Sequence, residues 1–270
     1  MVLSIKRFEG KVAVVTGASS GIGAAISEEL VKNGIIVAGL ARRTEKVEEL
    51  SKNLSGKKGK LHAFKCDLTK EEDIVSVFEE IKNKLGPINI LVNNAGLSQK
   101  GSLIDGDTKA WKTVLDTNIL GLCIATREAV QDMKTNNTKG HIIHINSVLG
   151  HQVIDYAGLN VYGPSKYAVT ALAQTLRFDI NREKLPIKIT SVSPGYVKTE
   201  FQQVAGLETL PPAVPGLAGE DVADAVIYTL STPPSVNISV GNIDKRINIR
   251  ELLIYLLFRD SRSIKPLFLI

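Results

Sequence analysis

The stretch KVAVVTGASSGIGAAISEELVKNG, residues 11–34, decides the fold. KVAVVTG (11–17) is a near-continuous apolar run, as a strand buried on both faces requires. IGAAISEELVKNG (22–34) has helical periodicity and closes on Gly34, a stop signal. Between the two lie Gly17, Gly21 and Gly23. They permit a tight turn and let a phosphate approach the backbone. The helix that follows offers free N–H groups and a favourable dipole to a pyrophosphate. The spacing is G-x-x-x-G-x-G, a variant of the general dinucleotide fingerprint G-x-G-x-x-G.

The same alternation repeats outward from this unit. Apolar runs at 35–42, 61–68, 88–96, 141–147 and 187–195 read as strands. Helical patterns cover 44–54, with Thr44 as the expected N-cap, then 71–86, about 107–134, about 162–183 and 220–231. Strands separated by helices argue for βαβ units and a parallel sheet covered on both faces. No linker or internal repeat divides the chain, so one domain is expected.

Composition bounds the function classes. The chain has 270 residues, 44% of them hydrophobic, enough for one large core. The net charge of +5 comes from 33 basic and 28 acidic residues spread along the sequence. The densest basic run, SGKKGKL (55–61), reads as a solvated loop, and no basic stripe interleaved with aromatics suggests a nucleic-acid partner. Cys66 and Cys123 form no motif and fit a reducing compartment, so a cytoplasmic location is expected. MVLSIKRFEG does not read as a signal peptide, and no run of 18 apolar residues predicts a membrane span. Histidines 62, 141, 144 and 151 read as strand or loop residues, and no metal site is expected.

Two further pairs carry chemistry. GLARR ends the second strand, where a dinucleotide site specific for an unphosphorylated ribose usually carries an acid. Ala41 stands near that place and Arg42 and Arg43 follow. Arginines at a helix start oppose its dipole, and a 2′-phosphate gives them a purpose. NADP(H) is therefore expected over NAD(H). In VYGPSKYA (161–168), Tyr162 and Lys166 share a helix face. A neighbouring ammonium lowers a phenol's pKa, so the pair is either a tuned proton donor or a packed tyrosine beside a solvated lysine.

These features, together with Asp67 after the third strand, Asn93-Asn94-Ala95-Gly96 after the fourth, Asn118, Ser147 after the fifth, and Pro194-Gly195 with Thr199 after the sixth, resemble the short-chain dehydrogenase/reductase family over about residues 8–250. The resemblance implies an α/β fold, a single doubly wound Rossmann domain with a mostly parallel sheet of about seven strands, spanning 1–250. It implies Tyr162 as general acid/base, with Lys166 lowering its pKa and binding the nicotinamide ribose. Ser147 would hold the substrate oxygen, and Asn118 would shape its helix and hold a water. Asp67 would bond the adenine, with Leu68 beside it, and Thr199 the carboxamide. Gly17, Ser19, Ser20, Gly21, Ile22, Gly23, Asn94, Ala95, Gly96, Pro194, Gly195 and Val197 would line the cofactor.

Two segments are expected to shape the substrate pocket: VLGHQVIDYAGLN (148–160) and the apolar, lid-like YVKTEFQQVAGLETLPPAVPG (196–216). With GLARR and INIRELLI, the long serine loop resembles the branch containing insect farnesol dehydrogenase-like proteins and vertebrate carbonyl and ketosteroid reductases. That implies a lipophilic alcohol or carbonyl substrate. The helices near 107–134 and 162–183 resemble the family's subunit-contact helices, implying a homodimer or homotetramer. The apolar tail, 251–270, departs from the branch; a subunit interface, a membrane surface or a loose end are its alternatives. Two rivals remain: a non-catalytic cofactor-binding sensor or scaffold, disfavoured by the intact Asn118, Ser147, Tyr162 and Lys166, and a nucleotide-sugar epimerase or dehydratase, disfavoured by the glycine spacing. Ser147 has no neighbouring histidine motif, which argues against a hydrolase nucleophile.

Overall fold

The computed structural model describes residues 3–208, 210–211, 214–236 and 238–243. The tail at 251–270 and the INIRELLI stretch lie outside the described residues. In chain order the elements are β1 (Val12–Thr16), α1 (Gly21–Lys32), β2 (Ile36–Ala41), α2 (Thr44–Asn53), β3 (Lys60–Lys65), α3 (Glu71–Leu85), β4 (Ile88–Asn93), α4 (Thr108–Leu115), α5 (Leu122–Thr135), β5 (His141–Ile145), α6 (Tyr162–Arg182), β6 (Lys188–Pro194), α7 (Phe201–Val204), α8 (Gly219–Ser231) and β7 (Val240–Ile243).

The seven strands form one sheet in the order β3-β2-β1-β4-β5-β6-β7. Every pairing is parallel. Period-two alternation sends neighbouring side chains to opposite faces. Ala13 and Val15 of β1 join the core built with α1 and α8, where Ile26, Leu30, Val222 and Val226 are buried. Val12 and Val14 join the opposite core with α3, α5 and α6, around Ile74, Phe78, Ala125 and Ala173. Both faces are covered, which explains why the strands read as continuous apolar runs. Each such buried Val, Leu or Phe contributes about 1.5–3 kcal/mol. The strand order reverses between β1 and β4. A doubly wound sheet opens its ligand crevice at that point, beyond the strands' carboxyl ends.

The expected helix over about 107–134 is corrected: it is broken by one π-helical turn, Asp116–Gly121, between α4 and α5. Such wide turns interrupt helices chiefly where function or packing demands it. Here the turn carries Asn118, whose Oδ1 accepts from the Leu97 N–H at 2.9 Å and whose Nδ2 donates to the Leu97 carbonyl at 2.9 Å. Among the described residues no helix is long and apolar enough to cross a membrane.

Candidate active site

A cleft of ≈ 460 Å³ opens over the carboxyl ends of β1, β4, β5 and β6. Its first wall is the glycine turn. Gly21 has a φ of +54°, a conformation L side chains rarely adopt. A side chain on Gly23 would overlap the Gly17 carbonyl oxygen and the Asn94 amide. The turn is fastened to the end of β4: Asn94 Nδ2 donates to the Thr16 carbonyl at 2.8 Å, and Thr16 Oγ1 accepts from the Asn94 and Ala95 N–H groups, each at 3.0 Å. Ser20, the N-cap of α1, makes no side-chain capping bond. The first-turn N–H groups of α1 therefore lack an intrahelical acceptor where Ser19, Ser20, Gly21, Ile22 and Gly23 face the cleft. That donor set fits a pyrophosphate.

The second wall is charged. Arg42 and Arg43 line the cleft beside Asp67 and Leu68. Arg43, rather than the expected Thr44, is the N-cap of α2, and it makes no side-chain capping bond. Burial pushes the Asp67 carboxyl up, but hydrogen bonds from the Thr69 N–H and hydroxyl, with Arg42 and Lys70 nearby, outweigh it and leave the pKa below its ordinary value. Two guanidinium groups at a helix start, in a cleft that also holds the glycine turn, suit a ribose 2′-phosphate.

The floor holds the hydroxyl pair. Ser147 follows β5, and Tyr162 opens α6. Both side chains line the cleft, and the Ser147 hydroxyl, whose Oγ accepts from the Leu149 N–H at 3.1 Å, is near enough to the phenol to pull its pKa down. Lys166 Nζ lies 5.8 Å from the Tyr162 ring centre and donates to the Ile145 carbonyl at 3.0 Å. Lys166 and Asn118 flank Gly96, itself a lining residue of the cleft: a Cβ there would be 3.5 Å from both Lys166 Nζ and Asn118 Oδ1. Asn118 Nδ2 also donates to Ser165 Oγ at 3.0 Å, and Ser165 Oγ donates to the Tyr162 carbonyl at 2.6 Å. The asparagine thus ties the strand-four loop to the start of α6.

Burial sets the titration here. It pushes the Tyr162 phenol up to about 12, against a smaller downward pull from the Ser147 hydroxyl. It brings the Lys166 ammonium down to about 8. The expectation that Lys166 lowers the Tyr162 pKa is therefore corrected: desolvation of the phenol is the largest cause of its shift, and the lysine's charge is not among the causes. The phenol stays protonated at neutral pH and is a donor by default.

The far end is apolar. Ile154, Leu159, Phe201, Val204, Leu207 and Leu210, from the two segments expected to shape the pocket, line it. The Phe201 ring lies 5.3 Å from the Tyr162 ring. Tyr156 OH donates to the Glu208 carbonyl at 2.6 Å, and the Lys100 N–H donates to the Ala205 carbonyl at 2.9 Å, so the lid is fastened to its neighbours. Pro194, Gly195, Val197 and Thr199 line the cleft where the lid begins. Asn146 and Ser98 also line the cleft without having been singled out from the sequence, and Tyr196 and Glu200 line it from within the expected pocket segment, 196–216. A position at a strand end could have flagged Asn146, which directly follows β5. His141 and His144 are core residues, and burial brings both pKa values down to about 3.

Comparison with known proteins agrees with this geometry. A sequence model of the short chain dehydrogenase family matches residues 11–208. The chain is 48% identical over 237 residues to farnesol dehydrogenase of Aedes aegypti, covering 86% of this chain and 94% of that protein. It is 42% identical over 255 residues to dehydrogenase/reductase SDR family member 11 of Gallus gallus, covering 90% and 98%. The structure of a serine dehydrogenase complexed with NADP+ is similar at a TM-score of 0.78 and 32% identity, covering 86% and 94%. The chain is therefore a member of the short-chain dehydrogenase/reductase family, an oxidoreductase acting on alcohols.

Proposed function

We propose that this enzyme interconverts a lipophilic alcohol and its aldehyde or ketone with NADP(H), the substrate being an isoprenoid alcohol such as farnesol, a steroid or a related carbonyl. One observation carries the reading: the Ser147–Tyr162 hydroxyl pair lies in a cleft with a glycine cradle and two arginines at one end and an apolar chamber at the other. The farnesol dehydrogenase of Aedes aegypti and the serine dehydrogenase complexed with NADP+ support the substrate class and the cofactor.

The bound nicotinamide dinucleotide supplies the acceptor or donor of hydride at the carbinol carbon. Gly17, Ser19, Ser20, Gly21, Ile22 and Gly23 hold its pyrophosphate, with Arg42 and Arg43 on the 2′-phosphate and Asp67 and Leu68 beside the adenine. Asn94, Ala95, Gly96, Pro194, Gly195, Val197 and Thr199 orient the nicotinamide half. Ser147 donates a hydrogen bond to the substrate oxygen. Tyr162 gives that oxygen its proton in reduction and removes it in oxidation. Lys166, whose Nζ lies beside Gly96 and donates to the Ile145 carbonyl, binds the nicotinamide ribose. Asn118 acts as a positioning residue, because its amide is committed to Leu97 and Ser165. The apolar far end excludes water and selects a lipophilic chain. The protein works as a homodimer or homotetramer in the cytoplasm.

The test is turnover of farnesol, a hydroxysteroid and a short polar alcohol with NADP+ and with NAD+. The reading requires the highest kcat/KM with NADP+ and one of the lipophilic alcohols. Preference for the short polar alcohol, or for NAD+, would refute the corresponding half of it.

A further inference from the structure

The cationic wall of the cleft is already engaged by a carboxylate reaching it from the lid. Glu200 follows Thr199 and lines the same cleft as Arg42 and Arg43. Glu200 Oε2 lies 3.9 Å from Arg43 Nη2, and Glu200 Oε1 lies 3.5 Å from Lys46 Nζ, in the first turn of α2. The Thr199 methyl would be 3.2 Å from a Cβ on Gly21, so this segment lies directly against the glycine turn. Arg42 is near enough to Asp67 for its charge to help lower that carboxyl's pKa. Each arginine thus has a carboxylate near it, Glu200 beside Arg43 and Asp67 beside Arg42.

We propose that Glu200 is a specificity-determining residue, an internal anion that competes with the cofactor's 2′-phosphate for Arg43 and Lys46. The inference rests on the NADP(H) reading. A carboxylate and a phosphate use the same N–H donors and the same positive potential at the start of α2. Two anions held within one such site repel each other. A phosphorylated ribose must therefore displace Glu200 or bind beside it, whereas a ribose with a free 2′-hydroxyl meets no such conflict. Glu200 thus narrows the preference for NADP(H) that the arginines create. Both pairs are half-exposed, with side-chain exposures of 41–49%, so the effect is modest: about three- to tenfold in relative affinity.

Calorimetric binding of 2′,5′-ADP and of 5′-AMP, without substrate or turnover, tests this on the full chain. The wild type, Glu200→Gln and Arg43→Ala are compared. The wild type should bind 2′,5′-ADP more tightly than 5′-AMP. Glu200→Gln should raise that ratio by about three- to tenfold and leave 5′-AMP affinity within about twofold, which also shows that the variant is folded. Arg43→Ala should lower the ratio. An unchanged or lower ratio in Glu200→Gln, with Arg43→Ala still lowering it, overturns the inference and leaves the NADP(H) reading standing. A wild-type ratio near one that Arg43→Ala does not move overturns both.

Discussion

The two ends of the cleft are built differently. The glycine-turn end is made of backbone fixed by the sheet: β1 is buried along its whole length, and Thr16 and Asn94 bind the turn to the end of β4. The chamber end is made of side chains on loops, Ile154 and Leu159 from one and Phe201, Val204 and Leu207 from the other, joined by single bonds such as Tyr156 to Glu208. The first end tolerates almost no change because main-chain atoms cannot shift aside. The second can be altered by exchanging side chains without disturbing the sheet. Such an enzyme keeps its cofactor chemistry while its substrate varies.

The largest expected effect strikes the first end. Gly23→Ala places a methyl on the Gly17 carbonyl oxygen and the Asn94 amide. It should lower stability by about 1–3 kcal/mol in denaturant unfolding and weaken dinucleotide binding by tenfold or more. A smaller effect tests the floor shared by both ends. His144 on β5 receives a hydrogen bond from Asn93 Nδ2 on β4 at 3.1 Å, and burial holds it neutral down to about 3. In the unfolded chain it takes up a proton near its ordinary value of about 6.5. Between those values the unfolded state binds more protons, so stability falls as pH falls below about 6.5. His141 adds to the same slope. Urea midpoints from pH 7 to pH 4.5 should show this decline, and His144→Gln should flatten it by at most one proton, about 1.4 kcal/mol per pH unit. The smallest effect strikes the chamber: Phe201→Ala removes the ring packed on Tyr162. It should raise KM for a lipophilic alcohol by about three- to tenfold while cofactor affinity stays within about twofold.

The sequence was informative wherever one local pattern decided the structure. Six strands were legible because short apolar-rich runs alternate with helical patterns, even where β3 carries exposed lysines at both ends and β6 holds Thr190, Ser191 and Ser193. The seventh strand, Val240–Ile243, was not placed, since VGNI has neither length nor apolar content to announce a strand. The π turn at Asn118 was hidden because its sequence, DTNILG, continues a helical pattern, while the partner of its asparagine, Leu97, comes from another loop. α7 is a single turn within the lid and gave no periodicity to detect. Arg42 and Arg43 were visible as a doublet, but nothing local indicated that Glu200 lies opposite, because the lid brings it there from far along the chain. The Tyr162 shift was misjudged for a related reason: helix spacing showed the lysine, whereas burial comes from the whole fold.

The most direct test of the account is Tyr162→Phe, with cofactor binding and chemistry measured separately. NADPH affinity is followed by fluorescence titration and hydride transfer by single turnover with a lipophilic carbonyl. The account predicts a dissociation constant within about twofold of wild type and a transfer rate lower by about 10²- to 10⁴-fold. A transfer rate within tenfold of wild type would contradict the assignment of Tyr162 as the proton donor.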